Sequence, residues 1–422
     1  MANRSTSLAV PAPGEFAPQG TVAVIGAGGN IGSHVVSHIA RLPGVSSVML
    51  IDNQRYTSDN LRSQEITSRD VGRAKAGVQA DRLRRIRPDL DVSALVAPVQ
   101  EVPLGILQAD VTLSCLDSLA ARQWIAEACW RLSQPLVDAG VSGGSLLARV
   151  HVYRPGPENA CYECGWDSRH YAEAASEQTH PCQAASGTAP AQPAPTNAPS
   201  FLGGLAASLM AAECMKILGG EWDQVLVGSQ VLIDVRNHTH YRTRYPRNPA
   251  CRFDHRAWEI ESLDADPSRL TLADALRLGR TFPGANGAPR LRPFLQSFVT
   301  LRVCSRCNRM KRGASLDRRT GASPRCRFCK EALLIASVMD SLSAYDVPGA
   351  WLDLPLSRLG FRPFDVFTVG TPGRETRWQL AGGRSVCASV VEGGASVDGV
   401  SRSDAWRSHQ SVMKERCNNE RS

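Results

Sequence analysis

The sequence has little that would place the chain in a membrane or outside the cell. Aromatic residues make up only 6% of the 422 residues, and no run reaches the roughly 20 uncharged apolar residues that cross a bilayer. The first 19 residues are rich in alanine and proline and lack the apolar core of a secretory signal. We therefore expect a cytoplasmic protein without a membrane partner.

A strong excess of one charge is also missing. The formal net charge is +8, and 43% of the residues are hydrophobic, as in an ordinary globular protein. Arginine-rich patches at 82–87 and 309–319 are more typical of solvated faces than of nucleic-acid binding. An acidic protein partner would also suit them, and we do not expect a nucleic-acid partner.

Disulfides are not expected among the 13 cysteines, because a reducing compartment keeps thiols free. Cys115, Cys129 and Cys214 lie in apolar or helical runs and are expected to fill the core. Six others form CxxC pairs, a spacing typical of zinc ligands: Cys161 and Cys164, Cys304 and Cys307, and Cys326 and Cys329. The last two pairs, 18 residues apart, predict a zinc ribbon that we expect to dock protein or act as a scaffold.

Buried strands alternate with helices in the first third of the chain. This rhythm predicts a Rossmann-like, doubly wound and mainly parallel α/β sheet. The predicted strands are 21–25, 48–51, 89–96, 109–115 and 135–138, and the helices are 33–42, 75–87 and 120–132. Further on we predict a strand at 145–153, a helix at 201–218, a strand at 225–235, a helix at 332–344 and a strand at 364–369.

These elements suggest four regions. We predict a flexible N-terminal arm at 1–20 and a main α/β domain at 21–290, which contains an irregular crossover loop at about 166–200. A C-terminal zinc-ribbon module would follow at 296–378, and a loosely ordered tail at 379–422.

A glycine-rich turn joins the first predicted strand to the first helix. Its glycines are Gly26, Gly28, Gly29 and Gly32, and such a turn presents backbone N–H groups to phosphate. Asp52 ends the next strand, where a carboxylate can accept hydrogen bonds from a ribose. An NAD enzyme and an ATP enzyme would both use these five residues.

Charged residues further along the chain favour ATP. Arg62 follows Asp52 in the segment before the second predicted helix, Lys75 begins that helix, and Asp117 follows the fourth predicted strand. An adenylating enzyme needs cations for a triphosphate and a carboxylate for Mg²⁺. An NAD-dependent oxidoreductase, the alternative, would leave Lys75 and Asp117 without a role.

Cys182 differs from the other cysteines. It has no CxxC partner and lies after His180 and Pro181, at the start of a segment rich in proline and alanine. An exposed thiol in such a loop is prone to oxidation, but it suits a nucleophile that swings toward an activated acyl group. A simple exposed thiol or an additional metal ligand are the alternatives.

The motifs GAGGNIGS, LID, DNLRSQ, VGRAK, CLD and CYEC occur in this order. Over about residues 21–255, the chain resembles the ThiF/MoeB/HesA family of ubiquitin-like-protein-activating enzymes. The resemblance implies that the four glycines line the phosphates of ATP and that Asp52 binds the ribose. It also implies that Asn60 and Lys75 contact the phosphates, that Asp117 positions Mg²⁺, and that the protein is a homodimer.

The resemblance further implies a structural zinc site made of Cys161, Cys164, Cys251 and His255. With the ribbon, this gives two structural Zn²⁺ ions. Two features depart from the family. Ser63 stands where the family usually has an arginine, so Arg62, Arg69 or Arg73 would have to supply that charge. The family's N-terminal arm often sends an arginine into the site of the partner subunit, whereas Arg4 is the only cation before the first strand of this chain.

By the same resemblance, the substrate would be the C-terminal carboxylate of a small ubiquitin-like protein of the β-grasp fold. After adenylation, Cys182 would take the acyl group as a thioester and pass it to a ubiquitin-conjugating-like enzyme. Residues 351–360 and 364–369 resemble C-terminal segments of bacterial ubiquitin-like conjugation proteins, some of which serve anti-phage defence. A sulfur-carrier adenylyltransferase of cofactor or thio-modification biosynthesis is the alternative, and a non-catalytic scaffold is a third.

Overall fold

The first half of the chain alternates strands with helices, as predicted. The computed structural model describes residues 20–177, 198–279, 287–318 and 324–382. Three predicted features lie outside the described residues: the N-terminal arm, Cys182 and the tail beyond residue 382. The first elements are β1 (Gly20–Ile25), α1 (Asn30–Ile39), β2 (Val45–Ile51), α2 (Lys75–Ile86), β3 (Asp91–Leu95), β4 (Val111–Ser114), α3 (Leu119–Arg131) and β5 (Leu136–Ser142).

Three further strands complete an eight-stranded main sheet. The next elements are β6 (Leu147–Tyr153), α4 (Ser168–Glu177), α5 (Ser200–Leu218), β7 (Ser229–Asp234) and β8 (Thr239–Arg244). The strand order is β3-β2-β1-β4-β5-β6-β7-β8. The first five strands pair in parallel and the last three antiparallel, so the mainly parallel α/β sheet is confirmed at that level. Helix α4 lies where an irregular loop was predicted, and that part of the prediction was wrong.

The hydrophobic core lies between the sheet and helices α1 and α5. Strand β1 is buried along its whole length, which explains why its sequence shows no polar alternation. Cys115, Cys129 and Cys214 are buried, as expected. Helix α5 is long and apolar enough to cross a bilayer, contrary to the expectation that no run of the chain would be. It packs against β4, β5 and β6, however, as a core helix does.

A second sheet follows the first in the chain. Its region contains β9 (Ile260–Leu263), α6 (Leu272–Leu278), β10 (Arg290–Pro293), β11 (Phe298–Cys304), β12 (Met310–Leu316), β13 (Leu333–Met339), β14 (Leu342–Ser343), α7 (Gly349–Leu352), β15 (Val366–Thr371) and β16 (Arg374–Leu380). Five of these strands pair in the order β14-β10-β15-β16-β9. The C-terminal module was predicted to begin at residue 296. Strands β9 and β10 precede that residue but pair with strands that follow it, so we place the start of the module at β9.

The remaining three strands form a separate sheet, in the order β12-β11-β13, within the predicted zinc ribbon. The helix predicted at 332–344 is wrong, because residues 333–339 form β13 and pair antiparallel with β11 along its length. Leucine and alanine favour a helix in isolation, but cross-strand pairing decides the conformation of this segment.

The C-terminal module is held against the main sheet by contacts with residues 101–124. The backbone N–H of Gly105 donates to the carbonyl of Phe364 at 3.0 Å, and the rings of Trp124 and Phe294 pack edge to face at 5.5 Å. A Cβ atom on Gly105 would lie 2.6 Å from the side chain of Gln379, so the close approach at this position requires glycine.

Candidate functional site

The glycine turn between β1 and α1 is built around positions where a side chain does not fit. Gly26 has φ +77°, a left-handed conformation that favours glycine. A Cβ atom on Gly32 would lie 2.1 Å from the carbonyl oxygen of Gly26. The turn therefore brings the chain directly into α1, whose first N–H groups have no partner within the helix and can face an anion.

Asp52 fixes this turn to the neighbouring strand. Its carboxylate accepts hydrogen bonds from the backbone N–H groups of Gly28 and Gln54, both at 2.9 Å. Burial raises the pKa of Asp52, and these two hydrogen bonds act in the opposite direction. Each carboxylate oxygen keeps a second lone pair, which is what a ribose hydroxyl would need.

Lys75 begins α2 and packs against the same turn. The residue is only 4% exposed, its Nζ donates to Gln54 Oε1 at 2.8 Å, and Nζ lies 5.5 Å from the centre of the Tyr56 ring. Burial lowers the pKa of Lys75, and the charges of Asp52 and Asp117 oppose that shift. A phosphate beside Nζ would stabilise the ammonium form further.

Gly28 leaves the space that Lys75 occupies. A Cβ atom on Gly28 would lie 2.3 Å from Cβ of Lys75 and 2.8 Å from the hydroxyl of Tyr56. The turn and the lysine are therefore packed as one unit, and their proximity does not depend on a bound ligand.

Asp117 completes the group at the carboxyl edge of the parallel strands. It is exposed and lies between the end of β4 and the start of α3, which Ser118 caps by accepting the N–H of Ala121 at 3.2 Å. The structure thus brings Asp117 close enough to Asp52 and Lys75 for their charges to interact. The chemistry of this set fits Mg-ATP: Asp117 would hold Mg²⁺, while Lys75 faces phosphate.

The predicted phosphate contacts from residues 57–73 differ in their availability. Asn60 uses its side-chain oxygen to cap its own 3₁₀ turn, by accepting the N–H of Thr57 at 3.0 Å. Arg73 is held by Asp81 at 2.7 Å and Asp70 at 3.4 Å. Arg62 is exposed, and within the described residues no carboxylate pairs with it, which favours Arg62 over Arg73 as the substitute at Ser63.

A cleft beside Asp117 contains two arginines that the sequence analysis did not single out. Asp138, fully buried on β5, accepts from Arg122 at 2.8 Å and from Arg149 at 3.0 Å. Its other oxygen accepts from Ser114 at 2.8 Å. Two guanidinium groups thus share one carboxylate, and both arginines line a cleft of about 330 Å³ that Asp117, Glu173 and Glu177 also line. The pairing of β5 with β6 brings Arg149 to Asp138, and the packing of α3 against β5 brings Arg122 there, so the sequence carried no local pattern for them.

Both ends of the crossover segment are fixed at this same edge of the sheet. Glu177, at the end of α4, accepts from the backbone N–H of Ala120 at 2.8 Å and from Ser118 Oγ at 2.6 Å, directly after Asp117. On the return, the carbonyl of Ala198 accepts from Asn30 Nδ2 at 2.7 Å, directly after the glycine turn. The segment that contains Cys182 therefore leaves and rejoins the described structure beside the predicted nucleotide site.

The first predicted zinc site comes together in space. Cys161 and Cys164 follow β6, and Cys251 and His255 follow β8. Their ligand atoms all lie within 4.8 Å of one another. The Cys161 sulfur lies 3.8 Å from that of Cys164 and 3.7 Å from that of Cys251, and His255 Nε2 lies 3.2 Å from the Cys164 sulfur. Two sulfurs at about 2.3 Å from a tetrahedral zinc ion would be about 3.8 Å apart, so this set could hold Zn²⁺.

The four ribbon cysteines meet in the same way. Cys304 and Cys329 have sulfurs 3.3 Å apart, and the Cys307 sulfur lies 3.7 Å from that of Cys326. All four sulfurs lie within 4.8 Å of one another. This cluster could also hold Zn²⁺, at the end of the three-stranded ribbon sheet.

Comparison with known proteins agrees with this arrangement. The sequence profile of the ThiF family matches residues 17–253, which is more than half of the chain. The chain belongs to the ThiF family. The match covers the main sheet, the candidate nucleotide site and part of the first cysteine cluster.

Relatives of this ThiF-family chain include two enzymes of Escherichia coli. The sulfur carrier protein ThiS adenylyltransferase is 31% identical over 204 residues, which are 47% of this chain and 72% of that protein. The molybdopterin-synthase adenylyltransferase is 28% identical over 233 residues, covering 54% and 85%. Ubiquitin-like modifier-activating enzyme 5 of Bombyx mori is 29% identical over 157 residues, covering 34% and 39%. A crystal structure of E. coli MccB with ATP matches at 24% identity, 55% and 66% coverage and a TM-score of 0.43.

Substitution of Gly28 tests the packing of the turn against Lys75. We expect Gly28→Ala to displace Lys75 and to weaken Mg-ATP binding by at least about tenfold, since a loss of about 1.4 kcal/mol has that effect. Gly77→Ala is the matched control. Gly77 lies in α2, as Lys75 does, but no atom lies within 4 Å of the added methyl group. Isothermal titration calorimetry measures the affinity; equal affinities for both variants would contradict the proposed role of the turn.

The cysteine clusters predict two zinc ions per chain by elemental analysis. Cys251→Ser should lower the content to one, and so should Cys326→Ser, with a lower melting temperature in each case, because a structural zinc contributes directly to folding. Cys214→Ala is the control, since this cysteine is buried in α5 outside both clusters. A wild-type protein purified without chelator that contains no zinc would show that the clusters are not zinc sites.

Proposed function

We propose that this ThiF-family chain adenylates the C-terminal carboxylate of a small ubiquitin-like protein of the β-grasp fold. It is an ATP-dependent activating enzyme. An oxygen of the carboxylate attacks the α-phosphorus of ATP, the bond from that phosphorus to the bridging oxygen breaks, and pyrophosphate leaves with the electron pair. An acyl-adenylate remains.

The observation that carries this proposal is the convergence of Asp52, Lys75 and Asp117 at the glycine turn. Asp52 would accept from the ribose, and Lys75 would bind a phosphate. Asp117 would hold Mg²⁺, which neutralises the departing pyrophosphate. An oxidoreductase would need the turn and Asp52, but it has no use for a buried lysine and an exposed carboxylate beside the phosphates.

The cleft beside Asp117 suits the tail of the carrier protein. Arg122 and Arg149 line it together with Asp117, Glu173 and Glu177, so the charge of the cleft is mixed, and the two guanidinium groups are the ones that would bind a terminal carboxylate. Gly140 also lines this cleft. A tail that ends in small residues would reach Asp117 along it and place its carboxylate next to the bound nucleotide.

We further propose that Cys182 takes the acyl group from the adenylate. Its sulfur attacks the acyl carbon, a thioester forms, and AMP leaves with the electron pair of the broken bond. The acyl group then passes to a conjugating-like enzyme. Support comes from Glu177 and Ala198, which fix the two ends of the segment that contains Cys182 beside the site.

The class of carrier distinguishes two versions of this function. Our first choice is a bacterial ubiquitin-like conjugation system, including one of anti-phage defence, and the additional C-terminal module supports it. The alternative is a sulfur-carrier adenylyltransferase, which the identity to the ThiS adenylyltransferase favours. We propose a cytoplasmic homodimer in either case.

Exchange of radiolabelled pyrophosphate into ATP tests the adenylation step. With carrier and Mg²⁺ present, we expect exchange by the wild type and a loss of about a hundredfold or more in Asp117→Asn, as is typical when one group that stabilises transition-state charge is removed. The control is Asp223→Asn, an exposed aspartate near the far end of α5, roughly 28 Å from its start. Equal exchange by both variants would rule out the role of Asp117.

A reducible adduct between chain and carrier tests the role of Cys182. With carrier, ATP and Mg²⁺, we expect this adduct on denaturing gels without reductant, because a thioester is cleaved by an added thiol. Cys182→Ala should lose the adduct and keep pyrophosphate exchange, since adenylation precedes the transfer. Cys214→Ala, the substitution of a buried cysteine, should retain both. An adduct that persists in Cys182→Ala would contradict the proposed transfer.

A further inference from the structure

The zinc end of the ribbon carries a concentration of positive charge that adenylation does not explain. We call this the knuckle surface, and define it by five exposed cations on and beside the two CxxC turns: Arg306, Arg309, Arg325, Arg327 and Lys330. Within the described part of the chain none of the five forms an ion pair. Across the two turns, at 304–309 and 325–331, the exposed Glu331 supplies the single carboxylate. A zinc ion with four cysteine thiolates would add a charge of about −2, so the five cations still leave the knuckle surface with a net positive charge of about +2.

An exposed aromatic ring lies within the knuckle surface. Phe328 is 52% exposed, and the guanidinium carbon of Arg309 lies 3.7 Å from the centre of its ring. That of Arg327 lies 4.6 Å from the same centre. A guanidinium group close to an aromatic ring is attracted to it and can still donate N–H groups to anions. Phe328 and the two guanidinium groups therefore place apolar surface and phosphate donors side by side.

The positive charge continues onto the ribbon strands. Arg302 of β11 is directly opposite Lys311 of β12 in the strand register. Like charges at directly opposite positions destabilise a sheet. Among the described residues no carboxylate pairs with either side chain, so folding alone gives no reason for this pair. A bound polyanion would remove the repulsion.

The tail of the same chain is a poor source of that anion. Residues 383–422 contain five acidic and six basic residues. A polymer with one charge per unit and flat bases matches the knuckle surface better, because phosphates can meet the cations while bases stack on the Arg–Phe–Arg layer. We propose that the knuckle surface binds single-stranded nucleic acid.

This inference differs from the expectation that the arginines of 309–319 are merely solvated. The sequence shows how many cations there are, but only the meeting of the four cysteines brings the turns at 304–307 and 326–329 side by side. The binding is separate from adenylation, since it uses neither the glycine turn nor Asp117. Asp117→Asn should therefore bind nucleic acid like the wild type, so the two proposals can fail independently.

The test is fluorescence anisotropy of the full-length zinc-loaded chain with a labelled oligothymidylate of about 20 nucleotides. We expect binding that weakens as salt rises from about 50 to 200 mM, because bound phosphates release counterions. Arg309→Glu with Arg327→Glu should weaken it by at least about tenfold, and Phe328→Ala by about tenfold, the size typical of one lost stacking contact. Arg242→Glu, an exposed charge reversal on β8, should leave it unchanged.

Two results would overturn the inference. One is the absence of binding at low salt by a chain with both zinc ions in place. The other is that polyglutamate displaces the labelled oligonucleotide as effectively as unlabelled oligonucleotide does, and that Phe328→Ala changes the binding of neither polymer. That result would identify an acidic protein as the partner. Zinc content and melting temperature of each variant show whether it folds, and Phe328→Tyr, which keeps the ring, should restore binding if Phe328→Ala loses it.

Discussion

The candidate site depends on one buried carboxylate and the turn that it holds. Asp52 accepts the N–H of Gly28 and so joins the end of β2 to the turn after β1. Because Gly28 has no side chain, Lys75 can pack against that turn from the start of α2. Three elements that are far apart in the sequence are thereby fixed at one edge of the sheet, where α1 also begins. A ligand with phosphates and a ribose matches this geometry, and it would find the site already formed.

Other parts of the structure meet at or near this edge. The first cysteine cluster connects the end of β6 with the segment after β8, in the antiparallel half of the sheet. The crossover segment begins and ends beside Asp117 and the glycine turn. The cleft with Arg122 and Arg149 opens at the same edge. The crossover segment and the cleft thus lie beside the candidate nucleotide site, while the first cysteine cluster joins the ends of two antiparallel strands.

The parallel half of the main sheet could be predicted because β1, β4 and most of β2 are short, apolar and buried. Asp52 follows β2, Lys75 begins α2 and Asp117 follows β4, so these residues could be singled out by their positions. Strand β8 was missed because all of its residues are exposed and most are polar. Cross-strand register explains the other misses. Strand β9 pairs with β16, more than a hundred residues later, and Asp138 meets Arg149 only when β5 pairs with β6. No local motif reveals such pairs, whereas the ligands of a CxxC are close in sequence.

The most direct test of the account is a crystal structure of the chain with Mg²⁺ and a non-hydrolysable ATP analogue. We expect the triphosphate to lie against the glycine turn, with Nζ of Lys75 bonded to a phosphate oxygen. The ribose should bind Asp52, and a metal ion should be bound at Asp117. A pocket that stays empty at saturating nucleotide, or one that binds a nicotinamide dinucleotide instead, would contradict it and leave only the architecture.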